Sequence, residues 1–265
     1  MDSKTYRIKE FFNPADQRSL IVDTSACLSL GPLPGLEIFK QAVKPFLHLV
    51  DGVVTSPGQA KVLSGRTHQD AALLVRADWT NALRGPEFVL PPEKVKHITL
   101  MSASQALEIG ASALVLYFLL GHEEQIEAGC LKWTVQLAIE GSQIGLPLII
   151  DVQPIGERVV LQSKAVELGA SYGLEGGADG IAVPWPGVES FKIIIKMSAG
   201  MPIWVKPRTL ENVQNEIGEA LQLGAAGLWL DEEVFAHPDA AGRIESLISL
   251  IHPSFAVKEG PQESL

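Results

Sequence analysis

The stretch Gly176 to Gly187, reading GGADGIAVPWPG, constrains this chain more than any other. A Gly-Ala pair closes a helix, and a short apolar run from Ile181 to Val183 follows as a strand. Pro184, Trp185, Pro186 and Gly187 then stop the strand and begin a loop. The same order recurs as ALEIGASALVLYF from Ala106, as ALQLGAAGLWL from Ala220, and more weakly as LVDGVVTSP from Leu49. Several helix-into-strand units in one chain indicate a wound α/β protein. In such folds the loops after the strands carry the chemistry. The residue near the end of the 181–183 strand is Ala182, which can do no acid–base or nucleophilic work.

Eight short apolar runs read as strands: Ser19 to Val22, Gly52 to Thr55, Ala71 to Arg76, Ala113 to Leu120, Pro147 to Val152, Ile181 to Val183, Pro202 to Val205 and Gly227 to Leu230. Runs without polar alternation are expected where both faces of a strand are covered. Helical segments separate them, and 265 residues is near the ~250 of one (β/α)8 barrel. The expected fold class is therefore α/β, a (β/α)8 TIM barrel in a single domain over residues 1–255, with 256–265 as a polar tail. An open doubly wound sheet is the alternative, but no glycine-rich dinucleotide loop follows the first strand, and no G-x-x-x-x-G-K is present. Finer expectations concern the connections. Residues 1–18 should lie over the bottom of the fold, and helices should run from about Leu36 to Leu47 and from Arg158 to Leu168. Ser102 should cap a helix, a long helix should run to Ile144 with a break at Gly141, and Asn81 to Pro92 should be a lid or an oligomer contact.

Composition narrows the function classes. A net charge of −10 disfavours nucleic acid and anionic membranes as partners. No apolar run reaches the ~18 residues of a membrane span, and the N-terminal MDSKTYRIKEFF has no signal-peptide core. Cys27 and Cys130 read as reduced thiols, consistent with a cytoplasmic location.

The order of the pieces resembles the class I aldolases of the deoxyribose-phosphate, LacD and archaeal-type fructose-bisphosphate group. The likeness spans about Phe11 to His252 and rests on FFNPADQRSLIV, SLGPLPGL, VDGVVTSPG, ALEIGASALVLYFLLGHEEQ, GLPLIIDVQPIGE, GADGIAVPWPGVESF and EALQLGAAGLWLDEEVF. The resemblance implies a lyase that cleaves sugar phosphates through a Schiff-base lysine on the sixth strand. It also implies an Asp-His-Gly after the first strand, a tyrosine on the fifth, phosphate loops after the seventh and eighth, and assembly into a homo-oligomer. The matching residues here depart from that set. Ala182 replaces the lysine, Ser25, Ala26 and Cys27 replace the Asp-His-Gly, and Gln153 stands for the tyrosine. Lys206-Pro207-Arg208 and Asp231-Glu232-Glu233 stand where the phosphate loops would be.

What remains suggests an altered site. Lys206 is the lysine at a strand end, and is either a relocated Schiff-base amine, a cation for an anionic substrate, or a solvated lysine. Asp151 lies in an apolar strand, where a lone carboxylate is costly, so Lys206, Arg76 or Arg208 should partner it. It reads as a general base or as part of a structural ion pair. Asp23 joins these as a catalytic candidate. Arg76 is the expected anion clamp, or else a salt-bridge partner of Asp23 or Asp78. Asp78, Trp79, Gln153, Trp185, Arg208 and Asp231 complete the expected substrate-binding set. Three carboxylates at 231–233 would repel a phosphate, which suggests that sugar-phosphate cleavage has been left behind. No cofactor is expected. The carboxylates leave open a Mg2+-assisted reaction, whereas the histidines, of which only His122 falls at a strand end, lack zinc-site spacing. Three readings follow: an aldolase-like lyase on a sugar (phosphate) or oxo-acid, a non-catalytic homologue binding a metabolite or partner protein, and a metal-assisted C–C lyase.

Overall fold

A computed structural model describes residues 3–63, 71–237 and 239–253. Among the described residues ten strands form: β1 Ser19–Asp23, β2 Gly52–Thr55, β3 Ala72–Arg76, β4 Asp78–Thr80, β5 His97–Thr99, β6 Ala113–Leu119, β7 Leu148–Gln153, β8 Gly180–Pro184, β9 Ile203–Lys206 and β10 Gly227–Leu230. Eight of them close into a parallel barrel in the order β1-β10-β9-β8-β7-β6-β3-β2, which is the (β/α)8 TIM barrel expected. The other two, β4 and β5, pair antiparallel as a hairpin outside it, with Asp78 opposite Thr99.

Among the described residues ten α-helices accompany the strands: α1 Ser3–Lys9, α2 Cys27–Leu30, α3 Phe39–Val43, α4 Pro57–Ala60, α5 Ala103–Glu108, α6 Glu124–Ile144, α7 Gln162–Glu175, α8 Val188–Ser198, α9 Val213–Gln222 and α10 Ala240–Ile251. Ser102 caps α5 as expected and forms a capping box with Gln105. Three connections differ from expectation. The helix expected from Leu36 is only α3 followed by a 3-10 turn, Lys44–Phe46, because Pro45 has no amide to continue an α-helix. The helix expected from Arg158 begins at Gln162, because the preceding loop is pinned by Gly156, whose Cα lies too close to Gly121 for any side chain. Helix α6 passes unbroken through Gly141, where a side chain would collide with the Leu146 carbonyl. The polar tail expected at 256–265 lies outside the described residues.

Side chains alternate faces along each strand, so one parity of each barrel strand points inward. Ile21, Val54, Leu74, Val115, Ile149, Ala182, Trp204 and Trp229 form the barrel's inner core. Phe11 joins this core with no exposed surface, its ring 5.9 Å from that of Trp204. The segment after α1 thus closes the bottom with two aromatic rings, since Phe12 also lies 5.6 Å from Trp204. The next inward positions toward the carboxyl ends of the strands are Asp23, Arg76, Tyr117, Asp151, Lys206 and Asp231. A dry core beneath and a layer of charge above follow from the same two-residue period.

Candidate functional site

Arg76 organises the layer of charge. Its side chain is fully buried at the end of β3. Nη2 donates to Asp23 Oδ2 at 2.5 Å and to Asp151 Oδ2 at 2.9 Å, and Nε donates to Ser25 Oγ at 2.9 Å. Ser25 in turn donates through Oγ to Asp23 Oδ1 at 2.6 Å, and Trp229 donates through its indole N–H to Asp23 Oδ2 at 3.3 Å. The guanidinium lies 3.5 Å from the centre of the Tyr117 ring. Burial opposes the charge on Arg76, but Asp23 and Asp151 outweigh it and hold the guanidinium ionised. Two carboxylates around one buried cation are affordable because each is hydrogen-bonded on a second side.

Lys206 ends β9 and points into the mouth. Its Nζ donates to Asp151 Oδ1 at 3.1 Å and pairs with Asp231 Oδ1 at 2.9 Å. Gln153 Nε2 donates to the same Asp151 oxygen at 2.9 Å. Strand β8 lies between β7 and β9, with Ala182 opposite both Asp151 and Trp204. The lysine side chain therefore reaches across the strand on which the resemblance would place the reactive lysine. Burial pulls the Lys206 pKa down, but Asp151 and Asp231 push it up by more, so the group rests as an ammonium. Asp231 is the rim of this cluster, with 42 % of its side chain exposed. Beside it, burial and then Asp231 push the Glu232 carboxyl up to about 8.

The other expected residues divide. Of the three cations expected to partner Asp151, the structure brings Arg76 and Lys206 to it. Arg208 instead turns away to Glu216, with Nε 2.6 Å from Oε1 and its own amide 2.8 Å from Oε2. Asp78 is buried but faces the hairpin. Its Oδ2 lies 2.6 Å from His97 Nε2 and accepts the Tyr117 amide at 2.8 Å, while His97 Nδ1 lies 3.2 Å from Cys130 Sγ. Asp78 thus anchors the β4–β5 hairpin to β6 and α6. Trp79 on that hairpin sits 5.5 Å from the Arg84 guanidinium. Trp185 is buried against Phe191, and its amide donates to the Lys206 carbonyl. The stretch expected as a lid or an oligomer contact, Asn81 to Pro92, lies in the 81–96 connection of the hairpin, which walls a cavity of about 660 Å3 with Gly121, His122, Glu123, Ile155, Glu157 and Arg158. Cys27 and Cys130 are both free thiols. Among the described residues no three His, Cys, Asp or Glu side chains gather as a metal-holding group. Of the carboxylates at the strand ends, Asp23, Asp151 and Asp231 are paired with Arg76 and Lys206. Ser25, Tyr117 and Trp229 were not expected at the site. In the sequence Ser25 stands out only as a replacement for a residue of the aldolase pattern, and the two aromatics sit in apolar runs that mark them as core.

No family model matches the chain. Against solved structures it aligns with an archaeal fructose 1,6-bisphosphate aldolase at a TM-score of 0.76 and 21% identity, covering 94% of this chain and 98% of that one. The chain shares the (β/α)8 barrel fold of that aldolase. A Schiff-base-forming fructose-1,6-bisphosphate aldolase gives a TM-score of 0.77 at 19% identity over 94% of this chain and all of the other. An aldolase from Slackia heliotrinireducens gives 0.74 at 13% identity over 95% of this chain and 86% of that one. Among curated proteins, the 2-amino-4,5-dihydroxy-6-oxo-7-(phosphonooxy)heptanoate synthase of Streptomyces griseus is 22% identical, covering 95% of this chain and 91% of the synthase. The (β/α)8 barrel read in the sequence is thus present and is shared with these aldolases, and no helix among the described residues is long and apolar enough to cross a membrane.

Proposed function

We propose that this protein is an aldolase-like lyase acting on a hydroxylated carbonyl compound, a sugar or an oxo-acid, at the carboxyl end of its barrel. The observation that carries the reading is the Lys206 ammonium, held between Asp151 and Asp231 over Ala182. A cation and carboxylates converge there on inward positions that a purely structural barrel fills with apolar side chains. The fold shared with aldolases and the likeness to a synthase of a phosphorylated oxo-amino acid support the reaction class.

Lys206 serves this chemistry in one of two ways. As a nucleophile it first passes a proton to Asp151 or Asp231. The free amine then adds to the substrate carbonyl, water leaves, and the resulting iminium takes up the electron pair of the breaking C–C bond as the β-hydroxyl loses its proton. As an ammonium it stabilises the developing enolate without a covalent bond. The raised pKa favours the second way at neutral pH.

The test is intact mass after borohydride reduction with a panel of sugar phosphates, sugars and oxo-acids, alongside turnover of the same panel by wild type and Lys206→Ala. An adduct on Lys206 supports the covalent route. Turnover without an adduct that is lost in Lys206→Ala supports the electrostatic one. Turnover that survives Lys206→Ala overturns both, and no adduct with no turnover leaves a non-catalytic barrel.

A further inference from the structure

One polar group in the layer of charge is enclosed without a hydrogen-bond partner, and a second beside it makes no hydrogen bond to the protein. Arg76 Nη1 is buried without a hydrogen-bond partner, although the other two guanidinium nitrogens are fully engaged. The Tyr117 hydroxyl has no hydrogen-bond partner among the described residues, and the side chain is only 4 % exposed. A buried donor left unpaired, such as Arg76 Nη1, is costly, and a phenylalanine at 117 would stack on the guanidinium without placing a second polar group beside it. The two groups belong to one stacked pair, with Arg76 Cζ 3.5 Å from the Tyr117 ring centre. Both occupy inward positions, and Tyr117 is level with Asp151 on the neighbouring strand. The stack keeps the guanidinium and the phenol within the span of one carboxylate or carbonyl group. Across the mouth, Lys206 is already occupied by two carboxylates.

We infer that Arg76 Nη1 and the Tyr117 hydroxyl form an oxygen-binding subsite on the β3–β6 side of the mouth, which receives a carbonyl or carboxylate oxygen of a small oxo compound. This rests on the reading of the mouth as the site. Burial raises the Tyr117 pKa, and Asp23 and Asp151 add to it against Arg76, so the phenol keeps its proton and acts as a donor. Arg76 is a donor in every state. Two donors aimed at one place select an acceptor oxygen, and a hydrogen bond made to it gives Arg76 Nη1 the partner that the fold leaves unmade.

The test uses the full chain, with pyruvate as a probe carrying both a carbonyl and a carboxylate and dihydroxyacetone as a carbonyl without charge. Binding is followed by calorimetry in wild type, Tyr117→Phe and Lys206→Ala, and thermal unfolding is recorded for each. The expected result is that Tyr117→Phe weakens pyruvate binding about tenfold, the loss of one donor hydrogen bond, while its Tm stays level or rises. Pyruvate affinity unchanged in Tyr117→Phe but lost in Lys206→Ala overturns the subsite and leaves the proposed site standing. No binding of either probe to wild type overturns both. A fall in Tm for Tyr117→Phe matching the loss of affinity would show the hydroxyl to be structural and also overturns the subsite.

Discussion

Lys206 on β9 donates to Asp151 on β7, crossing the intervening strand at the level of Ala182. The crossing links two facts that the sequence shows separately, a missing lysine on one strand and an extra lysine on the next. A small side chain at 182 leaves room above the core for the Lys206 stem. Replacing Ala182 by Lys therefore crowds a fully buried position and sets a second ammonium against one shared carboxylate. Ala182→Lys is expected to lose about 1–3 kcal/mol. Ala182→Lys combined with Lys206→Ala should lose less than the sum of the two single changes. Urea unfolding of the three variants measures the coupling, and strict additivity would contradict the crossing.

Arg76 and Lys206 both neutralise Asp151, but they differ in burial of their partners. Arg76 sits between two carboxylates that are 3 % and 0 % exposed, whereas Asp231, one of the two partners of Lys206, is 42 % exposed. Arg76→Met strands two buried carboxylates and is expected to cost about 3–5 kcal/mol. Lys206→Met is expected to cost clearly less, since Asp151 keeps Arg76 and Asp231 keeps water. Denaturant midpoints at neutral pH rank the two, and the reverse order would contradict this account.

His252 is pinned at the foot of the barrel, with Nδ1 2.8 Å from Asp16 Oδ2 and Nε2 3.0 Å from Asp51 Oδ2. Asp51 also accepts the Leu20 amide at 2.6 Å, so the imidazolium ties the end of α10 to the start of β1. Burial lowers the His252 pKa, but Asp51 and Asp16 raise it by more, to a net value above 6.5. The folded chain thus holds this proton more tightly than the unfolded chain. The stabilisation is complete below pH 6.5 and is lost as the pH rises through the folded pKa. His252→Gln should flatten stability against pH above 6.5, read from urea midpoints across that range.

Glu232 gives a second pH dependence with a different window. Its folded pKa of about 8 lies above the ordinary 4.5, first through burial and then through Asp231. Between those values the unfolded chain has released a proton that the folded chain keeps, so stability falls as pH rises from 4.5 to about 8. Glu232→Gln should remove the part of this slope that lies below pH 6.5, where His252 contributes nothing. An unchanged slope there would show that Glu232 is ionised in the folded state.

The thiols should differ in reactivity. Burial pushes Cys130 up to about 12, and its sulfur is held between the Leu119 amide and His97. Cys27 is half-buried, and burial raises its pKa as well. A disulfide reagent at neutral pH should label Cys27 slowly and Cys130 only after unfolding, because the thiolate is the reacting form. Counting labelled thiols by mass with and without denaturant checks this, and labelling of Cys130 in the folded chain would contradict its enclosure.

The sequence by itself determined the barrel. Eight apolar runs between helical segments can be covered on both faces in few ways, and local pattern reports that directly. It also marked Asp151 as a carboxylate in need of a cation, since an apolar strand tolerates a charge only when the charge is paired. Only the tertiary structure decided which cation answered. Arg76 and Arg208 are the same residue type at or just beyond a strand end, yet one is buried on Asp151 and Asp23 and the other is tied to Glu216. Asp78, two residues after Arg76, was carried off with the hairpin to His97. Tyr117 and Trp229 looked like core, because a strand buried on both faces reads the same inward and outward. Closure of the barrel fixes which parity faces the axis, and that choice, made by pairing between strands far apart in the chain, placed these two aromatics against the charged layer.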